Sequence, residues 1–232
     1  MPEQLIVQFE YRSDRTFAGY YPGANAEVLR HLQRTAIGEG EQQIFLWGSR
    51  GGGKSHLLQA CCQFAKAQGK DTFYLDLSVQ SLPNPNILDG LEHAELVCLD
   101  DIHKIAGQPD WELALFRFYN AHRQNDNRLI LSAESPPKYL ALQLPDLKTR
   151  MAWGLTLKIQ DMDDVQLSEA LRFKARYLGF DMPTKVARFL IARYVHDLTA
   201  LWQVLAHIDK ATLSAHRKLT IPFLKQILAD KL

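Results

Sequence analysis

Eight residues, Gly48-Ser49-Arg50-Gly51-Gly52-Gly53-Lys54-Ser55, fit the pattern G-x-x-x-x-G-K-[ST], a spacing suited to holding a polyphosphate. Glycines let the backbone approach an anion that any Cβ would keep away. The N–H groups of the turn and of the helix behind it would surround a β-phosphate. Lys54 would neutralise β- and γ-phosphates, and the Ser55 hydroxyl would ligand Mg²⁺. His56 comes next, readable as a phosphate neighbour or as a helix-surface residue. A second set of candidates ends the run Leu96-Val97-Cys98-Leu99-Asp100-Asp101. Here the first carboxylate could hold Mg²⁺ through water and the second could polarise an attacking water. Alone, this pair reads equally as two surface acids at a strand end, as Asp76 does after the preceding apolar run. Beside the glycine loop the catalytic reading takes precedence.

Such residues need a frame that gathers them at one edge. "QIFLW" (43–47), "TFYLDL" (72–77), "LVCLD" (96–100), "RLILSA" (128–133) and "LTLKI" (155–159) are short apolar runs of buried-strand type. Between them "KSHLLQACCQFAKA" (54–67) and "DWELALFRFYNAHRQ" (110–124) have helical spacing. So does "NAEVLRHLQRTA" (25–36), with Asn25 placed to cap it. This alternation predicts an α/β fold, a parallel sheet with helices on both faces. After Asp161 strand signals stop, and "DVQLSEALRFKARYLGF", "PTKVARFLIARYV", "LTALWQVLAHIDKATLSA" and "TIPFLKQILADKL" predict a small all-helical domain. The expected division is 1–22 as a leading segment, 23–160 as the nucleotide-binding domain and 161–232 as a helical lid.

Basic and acidic residues nearly cancel, 27 against 26, so no whole-molecule field draws the chain to nucleic acid, and direct DNA binding is expected to be weak or indirect. Cys61, Cys62 and Cys98 suit neither a disulfide framework nor metal-ligand spacing and read as core thiols of a reducing compartment. Trp47, Trp111, Trp153 and Trp202 lie in apolar stretches and are expected to pack. No uncharged apolar stretch of about 18 residues occurs, and the N-terminus lacks a secretory pattern, so a cytoplasmic protein without a membrane span is expected.

The two phosphate-site motifs, "LILSAESPP", "LPDLKTRMAWG" and the helical tail together resemble the AAA+ P-loop ATPases, in particular the DnaA lineage of bacterial replication initiators and their regulators. "TFAGYYPGANAEVLRHL" is similar to the segment by which that lineage borders the base and ribose. The resemblance implies bound ADP or ATP with Mg²⁺, with Lys54 and Ser55 as the Walker A pair and Asp100 and Asp101 as the Walker B pair. Glu134 falls at a sensor position near the γ-phosphate. Arg150 matches the arginine finger that serves a neighbouring subunit's nucleotide, a task for which a planar guanidinium is suited. As a lone arginine it would read instead as a salt-bridge residue. The lineage usually has an arginine near the start of the third lid helix; here Thr199 stands there, with Arg193 and His196 as weak substitutes, which implies slow intrinsic hydrolysis.

"QLIVQF" (4–9) resembles a sliding-clamp-binding segment, with Gln4 hydrogen bonding and Leu5 and Phe9 filling an apolar groove; by pattern alone it equally suits a packing strand. Nothing toward Leu232 resembles the helix-turn-helix that reads origin DNA. The expectation is therefore a regulator that, with the DNA polymerase III sliding clamp, promotes hydrolysis of DnaA-bound ATP. It would work as a homodimer or higher oligomer. The alternative is a self-sufficient ATPase such as a DnaA-related helicase loader.

Overall fold

A computed structural model describes residues 14–78, 84–194, 197–215 and 219–229. The expected clamp segment, Gln4 to Phe9, and His196 lie outside them. Five parallel strands, β1 (Gln43–Trp47), β2 (Thr72–Asp76), β3 (Leu96–Asp100), β4 (Arg128–Ala133) and β5 (Leu155–Lys158), form one sheet in the order β2-β3-β4-β1-β5. β1, β3 and β4 coincide with the apolar runs read from sequence, and β2 and β5 each stop one residue short. β5 differs in character: its residues alternate between half-buried and exposed, because it lies at the sheet's edge.

Successive strand residues point to opposite faces, and each face has its own core. On one side Ile44, Leu46, Leu96, Cys98 and Ile130 pack against α1 (Ala26–Ala36) and α2 (Lys54–Ala67), which contribute Leu32, Leu57, Leu58, Cys61 and Cys62. The three cysteines are free and buried there, as core thiols. On the other side Phe45, Leu75, Val97, Leu99, Leu129 and Leu131 meet Trp111, Leu115 and Phe118 of α3 (Pro109–Gln124), with Leu147 and Met151 of α4 (Pro145–Met151). A third core joins α5 (Asp164–Tyr177), α6 (Thr184–Arg193), α7 (Leu198–Ala215) and α8 (Ile221–Ala229). Among the described residues no helix is long and apolar enough to cross a membrane.

α4 carries Arg150 and was not expected as a helix. It is only seven residues long and opens on Pro145 at its first position, where a missing N–H costs nothing. Basic residues in its last turn, Lys148 and Arg150, suit the helix dipole. Asn25 does precede α1, but its side chain caps nothing. Its amide instead pairs reciprocally with the backbone of Gln160, donating to the carbonyl at 3.3 Å and accepting from the N–H at 2.7 Å. This ties the leading segment to the end of the sheet. α5 has a capping box, with Gln166 N–H donating to Asp163 at 2.8 Å and the Gln166 side chain accepting from Asp163 N–H.

The segment from Asp14 to Asn25 lies across both halves. The Thr16 carbonyl meets His56 of α2 at 2.7 Å, and the Arg15 carbonyl accepts from Gln63 at 2.9 Å. On the lid side Tyr21 donates to Glu169 at 2.6 Å, and the Thr16 and Tyr177 hydroxyls lie 2.8 Å apart. Lys174 donates to the Asp14 carbonyl at 3.1 Å.

Candidate nucleotide site

The register sets the site. Trp47 is level with Ala133 and Asp76 with Asp100, so the glycine loop after β1, the carboxylates ending β3 and Glu134 after β4 emerge at one sheet edge. Carboxyl edges of parallel strands are where open α/β sheets bind ligands. Gly51 and Gly53 hold the left-handed backbone at φ +79° and +98°. A Cβ at Gly51 would stand 2.6 Å from Leu198 Cβ, and one at Gly53 would stand 2.6 Å from the Tyr20 ring. Bare backbone is needed here for reasons beyond the approach of a phosphate: the lid helix α7 and the leading segment's Tyr20 both press on the loop. Tyr20 donates to the Gly52 carbonyl at 3.3 Å, and Trp202 of α7 donates its indole N–H to the Gly51 carbonyl at 3.1 Å. Burial pushes the Tyr20 hydroxyl up to about 12.

Lys54 is buried, and its ammonium donates to the carbonyls of Gly48 at 2.8 Å and Ser49 at 3.0 Å, curling the loop around it. Ser55 and His56 follow in the first turn of α2, where backbone N–H groups have no intrahelical acceptor. The His56 side chain is engaged elsewhere. Its ring bonds to Thr16's carbonyl and lies 5.5 Å from the Tyr20 ring, and burial lowers it to about 4. The side chain is therefore buried, against the reading of His56 as a helix-surface residue, with its ring turned to Thr16.

Asp100 is fully buried. Tyr74, on the neighbouring β2, donates to its Oδ2 at 2.8 Å, and Ser132 of β4 donates to its Oδ1. Ser132 also accepts the Asp101 N–H at 3.0 Å, so one hydroxyl positions both acids. Asp101 takes a left-handed backbone at φ 55°. Burial first, and then the adjacent Asp100 carboxylate, raise its carboxyl to about 6 against the pull of Lys54. His103 stands between acids, 3.9 Å from Asp101 and 3.7 Å from Glu134. Burial lowers it below the usual imidazole value while Glu134 draws it the other way. Lys54, Asp100, Asp101 and Glu134 thus share one edge. Tyr74, Ser132, His103, Trp202 and Tyr20 join them. Tyr20 lies in the stretch that sequence resemblance links to a base and ribose; sequence assigns the other four no role at the site.

Arg150 is elsewhere. Its guanidinium lies 4.0 Å over the Phe116 ring and donates to Asn120 Oδ1, both on α3. Its carbonyl accepts from Gln43, the first residue of β1, at 3.1 Å. Nearby Trp153 is 43% exposed, against the expectation of a packed indole, with Arg123 4.8 Å over its ring. Thr199 sits in the first turn of α7, its N 3.2 Å from where a Gly51 Cβ would be. Arg193 ends α6 and is exposed.

A parallel sheet with a glycine loop between β1 and the next helix, paired acids at the end of β3 two strands away and a helical tail against the loop defines an AAA+ ATPase module. Residues 12–158 match the family model of the bacterial DnaA ATPase domain, and residues 163–228 match that of the Hda lid domain. The chain belongs to the bacterial DnaA ATPase family and is an Hda-like member of it. Domain III of the Thermotoga maritima initiator DnaA is similar in structure, with a TM-score of 0.77 at 16% identity, covering 95% of this chain and 98% of that one. DnaA from Aquifex aeolicus bound to AMPPCP aligns with a TM-score of 0.64 at 20% identity, over 78% of this chain and 60% of the other. The RuvB branch-migration motor of Thermotoga maritima gives 0.63 at 12% identity, over 90% and 69%. At these identities the likeness speaks for the fold.

Proposed function

We propose that the chain is a nucleotide-binding regulator of replication initiation that, docked on the sliding clamp through Gln4, Leu5 and Phe9, offers Arg150 to ATP held by DnaA and so switches the initiator off. The observation that carries this reading is the separation of Arg150 from its own phosphate loop. The loop leaves the last residue of β1, whereas Arg150 is bonded to the first, Gln43. Four steps along a strand at about 3.3 Å each put roughly 13 Å between those two residues. The guanidinium, moreover, is held on α3, so it is suited to a nucleotide bound by a neighbour.

The chain's own site fits ADP or ATP with Mg²⁺. Lys54 and the N–H groups of Gly51, Gly52, Gly53, Ser55 and His56 would hold phosphates, with Gly48 allowing the loop to turn. Ser55 and Asp100 would hold the cation, whose chemistry when bound is to neutralise phosphate oxygens. The AMPPCP complex of the Aquifex relative supports this reading. Asp101 and Glu134 would orient a water. The lid presents Thr199, an uncharged residue, to the loop, which favours retention of nucleotide over turnover. Gly51's contacts with Leu198 and Trp202 tie the lid, 161–232, to the 23–160 domain. An arginine that works on a neighbour also requires a mixed assembly with DnaA, or a homodimer or higher oligomer.

The test is a hydrolysis assay on ATP-loaded DnaA with clamp on DNA. Arg150→Ala should lower the stimulated rate at least tenfold while calorimetry finds its own ADP affinity unchanged. Undiminished stimulation overturns the reading. Brisk turnover by the isolated chain, accelerated by single-stranded DNA, would instead establish the helicase-loader alternative.

A further inference from the structure

Glu112 is a carboxylate 1% exposed in the first turn of α3. Its acceptors serve three backbone donors from two separate segments. Oε1 takes the Gly107 N–H at 2.7 Å; Oε2 takes the Gln143 N–H at 2.9 Å and the Leu144 N–H at 2.8 Å. Gly107 ends the short loop that begins at Asp101, and Leu144 is the residue on which α4 starts. The Gln143 side chain reinforces the junction by donating to the Gly107 carbonyl at 3.4 Å. A buried charge is tolerated when several N–H groups solvate it.

Glu112, Phe116 and Asn120 are spaced four residues apart, so they share one face of α3. The first anchors the beginning of α4; the other two hold the guanidinium at its end. α3 and α4 therefore lie side by side, pinned at both ends, and the near pin also grips the loop after Asp101. We infer that Glu112 is a positioning residue for the arginine finger: it fixes where α4 begins relative to α3, and thereby where Arg150 projects, and it joins that helix to the loop that follows the Walker B acids. The inference rests on the reading of Arg150 given above.

Glu112→Gln keeps the shape but turns an amide donor toward backbone donors. In the clamp-dependent DnaA assay the maximal stimulated rate should fall at least tenfold. The concentration giving half the effect should stay within twofold, and calorimetric ADP affinity should stay unchanged. Hydrogen exchange should quicken at least tenfold at the amides of Gly107, Gln143 and Leu144 while the strand amides keep their protection. A general loss of structure would move all of these together, and that result overturns the positioning role. If Glu112→Gln does not fold, Glu112→Asp, with an arm too short to serve both segments, is read the same way. Arg150→Ala is run beside it. Loss with Arg150→Ala but a full rate with a folded Glu112 variant overturns the inference and leaves the reading of Arg150 standing, whereas a full rate with Arg150→Ala overturns both.

Discussion

Asp100 has no water-facing surface, and both its carboxylate oxygens are engaged by hydroxyls, from Tyr74 and Ser132. Its two oxygens keep their direction only while those donors stay. Burial, and then the adjoining Asp100 charge, push the Tyr74 hydroxyl far above its ordinary value, so it remains a donor at any working pH. Tyr74→Phe leaves one oxygen without its hydroxyl, a loss of about 1–3 kcal/mol. The expected result is a Mg²⁺ requirement for nucleotide binding raised about tenfold in a calorimetric titration, with metal-free ADP affinity unchanged. An unaltered Mg²⁺ requirement would mean that Ser132 alone positions Asp100.

At the scale of elements, the turn between α4 and β5 is the tightest point beside the arginine. Gly154 has φ +80°, and a Cβ there would lie 2.4 Å from the Gln43 carbonyl oxygen. Gly154→Ala should destabilise the fold by about 2–4 kcal/mol, from backbone strain and a clash that no rotamer relieves. A urea titration should find the midpoint lowered with the slope retained. The sheet was legible because its strands are apolar runs bounded by polar residues, and β1, β3 and β4 begin and end where those runs do. The glycine loop was legible because its residues are contiguous. α4 was not, since seven residues give too little of a 3.6-residue period to recognise. Glu112 and Asn120 were not either: each lies about 30 residues from its partner in sequence, so only the packed fold reveals what it holds.

For the molecule as a whole, two buried histidines set an acid limit. Burial lowers both His56 and His122 to about 4 from an ordinary value near 6.5. Between those values the unfolded chain binds more protons than the folded one, so stability is complete above pH 6.5 and declines as pH falls toward 4. By pH 5 each histidine costs of order 2 kcal/mol. Urea midpoints measured from pH 7.5 to 4.5 should decrease below about 6.5, less steeply than the two rings alone require because Asp101, raised to about 6, works in the opposite direction; a decline that His122→Gln leaves unchanged would mean that this ring does not stay neutral in the fold.

His56 also fixes the strap formed by Asp14 to Asn25, whose backbone bonds to α2 and whose side chains reach α5 of the lid. Any load applied to the chain upstream of Asp14 is therefore divided between α2, which follows the glycine loop, and α5. A tether fastened there pulls on both helices at once and not on a slack leash.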